Sequence, residues 1–517
     1  MTSPNENLFV ALRAGFPADL DTTAIETADG ETLYYTWRDI DRATAKLANL
    51  LRWLELAPGA RVAVQTEKSV EALLLYLAVL RAGHVYLPLN HAYQDGEIEY
   101  FIEDAQPSVF VCSAKNFGWI SKLAFRAGTR HVFTLDDDRS GSLLERAAGH
   151  ADEHEPARCS AGDVAAIIYT SGTTGRSKGA MLTHGNLLSN AQTLKDWWGW
   201  RTPAQGGDVL LHALPIFHVH GLFVASHGAL LAGAKMLWFG KFLPRAVAAR
   251  LPEATVFMGV PTMYVRLLAE PSLTRDACRR MRLFVSGSAP LLIDTFEAFR
   301  ERTGHAILER YGMSETAMLT SNPCRPEDGE RRGGTVGFPL PGVQLRVRDD
   351  KGLVAPRGEM GGIEVKGPNV FAGYWRMPDK TREEFTEDGW FKTGDVGKFD
   401  EDGYVVIVGR LKDLIITGGY NVYPAEIEGH LNEIDGVAES AVIGVPHRDF
   451  GEAVVAVVVP EPGRSLDAAS LLAALKDRIA GFKVPKQLFV VNELPRNAMG
   501  KVQKNLLREQ HRELFSQ

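Results

Sequence analysis

The stretch "YTSGTTGRSKGAMLTHGN", Tyr169 to Asn186, follows directly on the apolar run Val164 to Ile168. It reads as a phosphate-binding loop, but its spacing departs from the Walker A pattern. That pattern needs G-x-x-x-x-G-K-[ST]. Here Gly172 and Gly175 are two residues apart, and Lys178 is followed by Gly179. The capacity for anions remains. Thr170, Ser171, Thr173 and Thr174 offer hydroxyls, the glycines permit positive φ, and backbone N–H groups can close around oxygens. Lys178 adds a cation. Taken alone, the same composition also suits a flexible hairpin or a solvent loop.

Working outward, β-branched runs alternate with helical patterns. "RVAVQ" at Arg61, the apolar run "ALLLYLAVL" from Ala72, "VYLPL" at Val85 and "VFVC" at Val109 follow in order. "TVFMGV" at Thr255 and "RLFVSG" at Arg282 continue the rhythm, which predicts βαβ units and parallel sheet. After about Gly333 the texture turns to short strands and Gly-rich turns, then to a small α+β segment. The expected fold is α/β: a large N-terminal domain, 1–410, with two βαβ-type sheet subdomains and a β-rich subdomain over about 333–410. A small, mobile α+β domain, 411–517, follows.

A chain of 517 residues predicts two or more domains. The net charge of −7 gives no electrostatic case for nucleic-acid binding. Cys112, Cys159, Cys278 and Cys324 are widely spaced, which fits a reducing compartment and argues against a disulfide framework or structural zinc. Glu6 in a terminus without a basic n-region argues against a secretory signal. The Ala72 run is too short to span a bilayer. The expected location is cytoplasmic, without a membrane partner.

Further motifs succeed the opening loop: "ERYGMSET" at Glu309, "GWFKTGD" at Gly389, "GYVVIVGRLKDLI" at Gly403 and "PRNAMGKVQK" at Pro495. With "YTSGTTGRSKG" they resemble, in order, the signatures of the adenylate-forming superfamily: acyl-CoA synthetases, nonribosomal adenylation domains and firefly-type luciferases. The resemblance covers nearly the whole chain. It implies that Thr170, Ser171, Gly172, Thr173, Thr174 and Lys178 contact the ATP β- and γ-phosphates, and that Tyr311 stacks on adenine. Gly287, Ser288 and Ala289 would pass close to base and acyl group. Thr316 would reach the α-phosphate, and Glu315 would hold Mg²⁺. Asp395 would bind the ribose hydroxyls, with Arg410 supporting the ribose-phosphate side. Lys501 would bridge the substrate carboxylate and the nucleotide. Lys412 would be the pivot between half-reactions, and Gly418 and Gly419 would line the path of CoA. The resemblance also implies a lysine acetyltransferase and deacetylase acting on Lys501.

For the acid, "PIFHVHGLF" (215–223), "MGVPTMY" (258–264) and "RLFVSGSAP" (282–290) are the expected pocket. Arg282, Phe284 and Ser286 share one strand face, so Arg282 is expected to pair with a second substrate carboxylate; a solvated basic edge is the competing reading. "VQTEKSVEALLLYLAVLRAG", "HALPIFHVHGLFVA" and "MRLFVSGSAPLL" resemble malonyl-CoA synthetases. That implies malonate as acid, methylmalonate as a second one, and Arg282 and His220 near the distal carboxylate. His218 and His220 form an H-x-H pair without a third ligand at helpful spacing, so a polar pocket wall is expected rather than a metal site. Other short-chain, medium-chain or aryl acids, and a carrier-protein acceptor, stay open as alternatives.

Overall fold

The computed structural model describes residues 4–170, 177–418, 420–476, 478–496 and 501–515. Ser171, Gly172, Thr173, Thr174 and Gly419, all expected at the site, lie outside the described residues. The chain divides into two compact units. One comprises residues up to Gln344 together with Val365–Phe391; the other comprises Leu345–Glu364 and Lys392 onward. The strand-rich segment after 344 thus groups largely with the C-terminal module rather than with the first 344 residues.

The first unit is built on two sheets. In the nine-stranded sheet the parallel core runs Leu308–Met313, Leu283–Ser286, Val256–Gly259, Val209–His212, Lys235–Trp238 and Thr23–Thr27, side by side. The seven-stranded sheet centres on Arg61–Gln65, flanked by Val85–Pro88 and Val109–Cys112 in parallel. Beyond Val85–Pro88 lies Val164–Thr170, which turns back antiparallel into Lys178–Thr183. Within the opening stretch, Tyr169, Thr170 and Lys178–Thr183 therefore belong to two strands paired antiparallel.

The apolar run at Ala72 forms the helix Val70–Arg81, in which every residue is buried. A helix apolar on all sides has no solvent face to offer, so it sits inside. Ser69 caps it by accepting from the Ala72 N–H, and Gly83, at φ 73°, lets the chain leave it. On the other sheet, Phe257, Tyr264, Phe284 and Phe299 meet edge to face beneath the strands, a favoured geometry for aromatic quadrupoles. This packing fixes the strand ends from which the site residues project.

The second unit holds a four-stranded sheet ending in Phe391–Phe399 and Val405–Arg410. A further sheet is dominated by the hairpin Val437–His447 and Gly451–Pro460, with the helix Pro424–Asn432 packed on it. Among the described residues, no helix is long and apolar enough to cross a membrane.

Candidate active site

The parallel strand Leu283–Ser286 ends at Ser286, and Gly287 and Ser288 follow it. Ligands of open parallel sheets sit beyond the carboxyl ends of the strands. Ser288 adopts φ 73°, so the chain turns sharply there. The neighbouring strand Leu308–Met313 carries Arg310, which is 3 % exposed. A Cβ on Gly287 would lie 2.5 Å from the Arg310 guanidinium carbon. Glycine at 287 is thus what lets the guanidinium lie flat against the backbone.

The polar atoms around this strand end are unusual for an interior. Arg310 Nε and Nη2, His220 Nε2 and Ser286 Oγ are all buried and lack a hydrogen-bond partner among the described residues. Buried polar groups are nearly always paired, so a cluster of orphans marks a place for a ligand. Burial brings the Arg310 pKa down to about 9. His220 is pushed well below its ordinary value, first by burial and then by the Arg310 charge, so its ring is neutral. Its Nδ1 lies 3.5 Å from Ser288 Oγ. His218 stands at the same turn, its Nδ1 accepting from the His220 N–H at 3.4 Å.

Arg282 belongs elsewhere, and the expectation that it reads a substrate carboxylate is corrected. Its guanidinium donates to both oxygens of Asp208, at 2.8 and 2.5 Å, and to the Trp198 carbonyl at 2.9 Å. Asp208 is 2 % exposed, and its pKa stays below the usual range because Arg282, Thr255 and the Arg201 N–H outweigh the burial that opposes them. Arg282 immediately precedes the strand Leu283–Ser286, so it stands at the amino end of the sheet, while Ser286, about 13 Å further on at the rise of a strand, stands at the carboxyl end.

Of the expected nucleotide residues in this unit, Thr170 and Lys178 face each other across the hairpin. The Lys178 ammonium lies 4.3 Å from the centre of the Tyr374 ring and 3.5 Å from Glu384. Tyr374 also donates its hydroxyl to Glu315 Oε1 at 2.9 Å, and the Phe371 N–H donates to the Glu315 carbonyl. Asn369 donates to the carbonyls of Thr316 and Met318. Thr316 is fully buried and Tyr311 half-buried, while Ala289 is exposed. Arg310 and the supporting residues Tyr374 and Asn369 were missed from sequence. Arg310 lies within "ERYGMSET", between Glu309 and Tyr311 on the strand Leu308–Met313, where no local spacing distinguishes it.

In the second unit, Asp395 and Arg410 are cross-strand partners, with an ion pair at 2.7 Å. Lys412 lies in the turn Leu411–Asp413, where burial lowers its pKa. Gly418 takes φ 56° and donates its N–H to the Phe450 carbonyl. Lys501 is exposed and precedes Val502, which bridges to Arg496.

Comparison with known proteins agrees with this layout. Residues 17–375 match the model of the AMP-binding enzyme family, and residues 426–501 match that of the AMP-binding enzyme C-terminal domain. The chain is 37 % identical over 485 residues to a malonate–CoA ligase of Arabidopsis thaliana, covering 87 % of this chain and 78 % of that protein. It is likewise 37 % identical over 479 residues to a feruloyl-CoA synthase of an Amycolatopsis species, covering 92 % and 93 %. The crystal structure of ATP-bound MatB from Rhodopseudomonas palustris superposes with a TM-score of 0.94 at 53 % identity, covering 99 % of this chain and all of that one.

Proposed function

The chain belongs to the AMP-binding enzyme family, as an AMP-forming acyl-CoA synthetase using ATP and CoA, and we propose that the acid it activates is malonate, with methylmalonate as a second substrate. The observation that carries this is Arg310: a buried guanidinium with two unpartnered nitrogens, among the orphaned donors of His220 and Ser286. A guanidinium prefers a carboxylate, which it grips bidentately. A diacid leaves one carboxylate free to react while the other neutralises Arg310. Acetate or a fatty acid leaves the buried cation unmet.

The reaction then runs in two steps. An oxygen of the free carboxylate attacks the α-phosphorus of ATP, pyrophosphate departs, and malonyl-AMP forms. The CoA thiolate then attacks the acyl carbon, and AMP leaves as malonyl-CoA forms. The family resemblance assigns Thr316 and Lys501 to the charge gathering at phosphorus in the first step. Asp395 and Arg410 take the ribose side, and Tyr311 the adenine. Lys178 and the loop before it take the terminal phosphates, while Lys412, Gly418 and Gly419 serve the second step.

Glu315 fits a magnesium ion: it is a single buried carboxylate steadied by Tyr374, and Mg²⁺ takes its remaining oxygens from phosphates and water. Bound there, the ion would offset phosphate charge.

The test is a panel of malonate, methylmalonate, propionate, succinate, octanoate and ferulate, each with and without CoA, scored for pyrophosphate and thioester. Malonate turnover well above propionate is expected. Faster turnover of propionate, octanoate or ferulate overturns the assignment.

A further inference from the structure

Behind the acid pocket lies a second polar cluster, to which the reaction scheme gives no role. Lys68 follows the strand Arg61–Gln65 of the seven-stranded sheet and reaches the other sheet. Its ammonium is enclosed, with hydrogen bonds to His212 Nδ1 at 3.0 Å, the His212 carbonyl at 2.8 Å and the Phe239 carbonyl at 2.7 Å. The Trp238 ring lies 4.2 Å away. His212 and Phe239 stand at the carboxyl ends of two neighbouring parallel strands, so the ammonium pins these ends together.

His212 continues the chain of contacts. Its Nε2 lies 3.1 Å from the Gly221 carbonyl and 3.1 Å from Ser226 Oγ, and Ser226 Oγ donates to the same carbonyl at 2.9 Å. Residues His220–Ser226 form a π-helical turn, a widened geometry often found at functional sites. It starts at His220 and is pressed against the Pro215 carbonyl, which a Cβ at Gly221 would meet at 2.1 Å.

The protons sort themselves by elementary valence. Burial lowers the Lys68 pKa well below its ordinary value, so the tautomer is fixed from the far side of the ring, where Nε2 lies 3.1 Å from the Gly221 carbonyl, which can only accept. Nε2 therefore carries the hydrogen, burial keeps the ring neutral, and His212 Nδ1 is the bare nitrogen to which Lys68 donates. That hydrogen and the Ser226 hydroxyl can both serve the Gly221 carbonyl. Were Nδ1 to hold the proton instead, Nε2 would become an acceptor competing for the Ser226 hydroxyl. The Gly221 carbonyl would lose its ring donor.

We infer that Lys68 is a positioning residue for acid recognition: by locking His212 as the Nε2–H tautomer it holds the Gly221 carbonyl, and with it the π-helical turn that presents His220 to the substrate carboxylate. This rests on the reading of His220 and Arg310 as the acid pocket, yet the two can fail separately.

The experiment compares wild type with Lys68→Met, which keeps the length of the side chain and removes its donors. The acid used is whichever the wild type turns over best. Histidine labelled with ¹⁵N reports the His212 tautomer, its signal assigned by its loss in His212→Gln. The expected result is a shift of that signal away from the Nε2–H form. With it, KM for the acid rises tenfold or more, while KM for ATP stays within about twofold. An unchanged tautomer, an unchanged KM for the acid, or an equal rise in both KM values overturns the inference. Should Lys68→Met not fold, Ser226→Ala removes one donor to the same carbonyl, and a rise in the acid KM alone is expected. A wild type that prefers a monoacid sinks the malonate assignment but leaves the tautomer measurement to decide the role of Lys68.

Discussion

Replacing Arg310 by methionine should make the protein a poorer catalyst and a more stable fold. Burial takes the guanidinium from its ordinary value down to about 9. At ~1.4 kcal/mol per decade this is a charge disfavoured by on the order of 4–5 kcal/mol. For a base held below its unfolded value, the unfolded chain binds more protons between about pH 9 and the ordinary arginine range. Stability therefore rises with pH through that window, and at neutral pH the full penalty stands. Apolar replacement of buried ionic groups has gained ~1–4 kcal/mol elsewhere, and an Arg310→Met protein without substrate should melt higher. Malonate, in contrast, loses its partner. Truncating one side of a buried charge pair costs ~2–5 kcal/mol, which converts to a fall in kcat/KM for malonate of roughly 30- to 5000-fold. Propionate, of similar size but lacking the second carboxylate, should not suffer, so the ratio of malonate to propionate collapses. Thermal melts without ligand and initial rates with both acids read the two effects. A lower melting temperature together with an unaltered malonate-to-propionate ratio would refute the reasoning, since Arg310 would then be an ordinary structural arginine.

Arg282→Ala should do the reverse, leaving acid selectivity intact and destabilising the fold by ~3–5 kcal/mol through the stranded Asp208 carboxylate, as denaturant melts will show. Because Asp208 is held below its usual range, its stabilisation is present above the ordinary carboxylate value and fades as pH falls through the lowered one. Glu309, raised by burial to about 8, works oppositely: the native state holds a proton that the unfolded chain releases, so stability should decline from about pH 4.5 to 8. Glu309→Gln should flatten that slope in melts across this range. Acetylation of Lys501, the state an acetyltransferase and deacetylase would interconvert, should abolish pyrophosphate release while malonyl-AMP supplied directly still yields thioester. Equal loss of both steps counts against a role confined to adenylation.

The contrast between Arg282 and Arg310 shows what a single sequence carries and where it stops. Strand periodicity placed Arg282 on the same face as Ser286, yet Arg282 precedes the strand Leu283–Ser286 and pairs its guanidinium with Asp208. Periodicity resolves faces and is silent about ends, and chemistry in a parallel sheet happens at one end. The partner that satisfies Arg282, Asp208, lies 74 residues earlier and precedes a different strand, a pairing set by sheet order that no local spacing encodes. Helices such as Val70–Arg81 and strands such as Val109–Cys112 were legible because their signals are local. The antiparallel pairing of Val164–Thr170 with Lys178–Thr183 was legible only as one of two plain alternatives to a phosphate loop, because its return strand is written in residues read as the loop's own.

Arg310 was invisible for the opposite reason. An arginine between glutamate and tyrosine looks like a neutralised surface charge, yet on a strand neighbouring side chains point to opposite faces. Glu309 and Arg310 therefore cannot neutralise each other directly, and each is buried with an unserved polar atom. A domain of this size can tolerate such costs only where something offsets them. For Glu309 the offset is a proton. Arg310 keeps its charge at neutral pH and on the proposed assignment takes an anion from outside the chain, while Gly287 leaves the space that the guanidinium occupies. On the proposed malonate assignment, selectivity follows from one uncompensated charge rather than from the shape of an apolar pocket, which predicts sharper discrimination against monoacids than against a diacid bearing one extra methyl group.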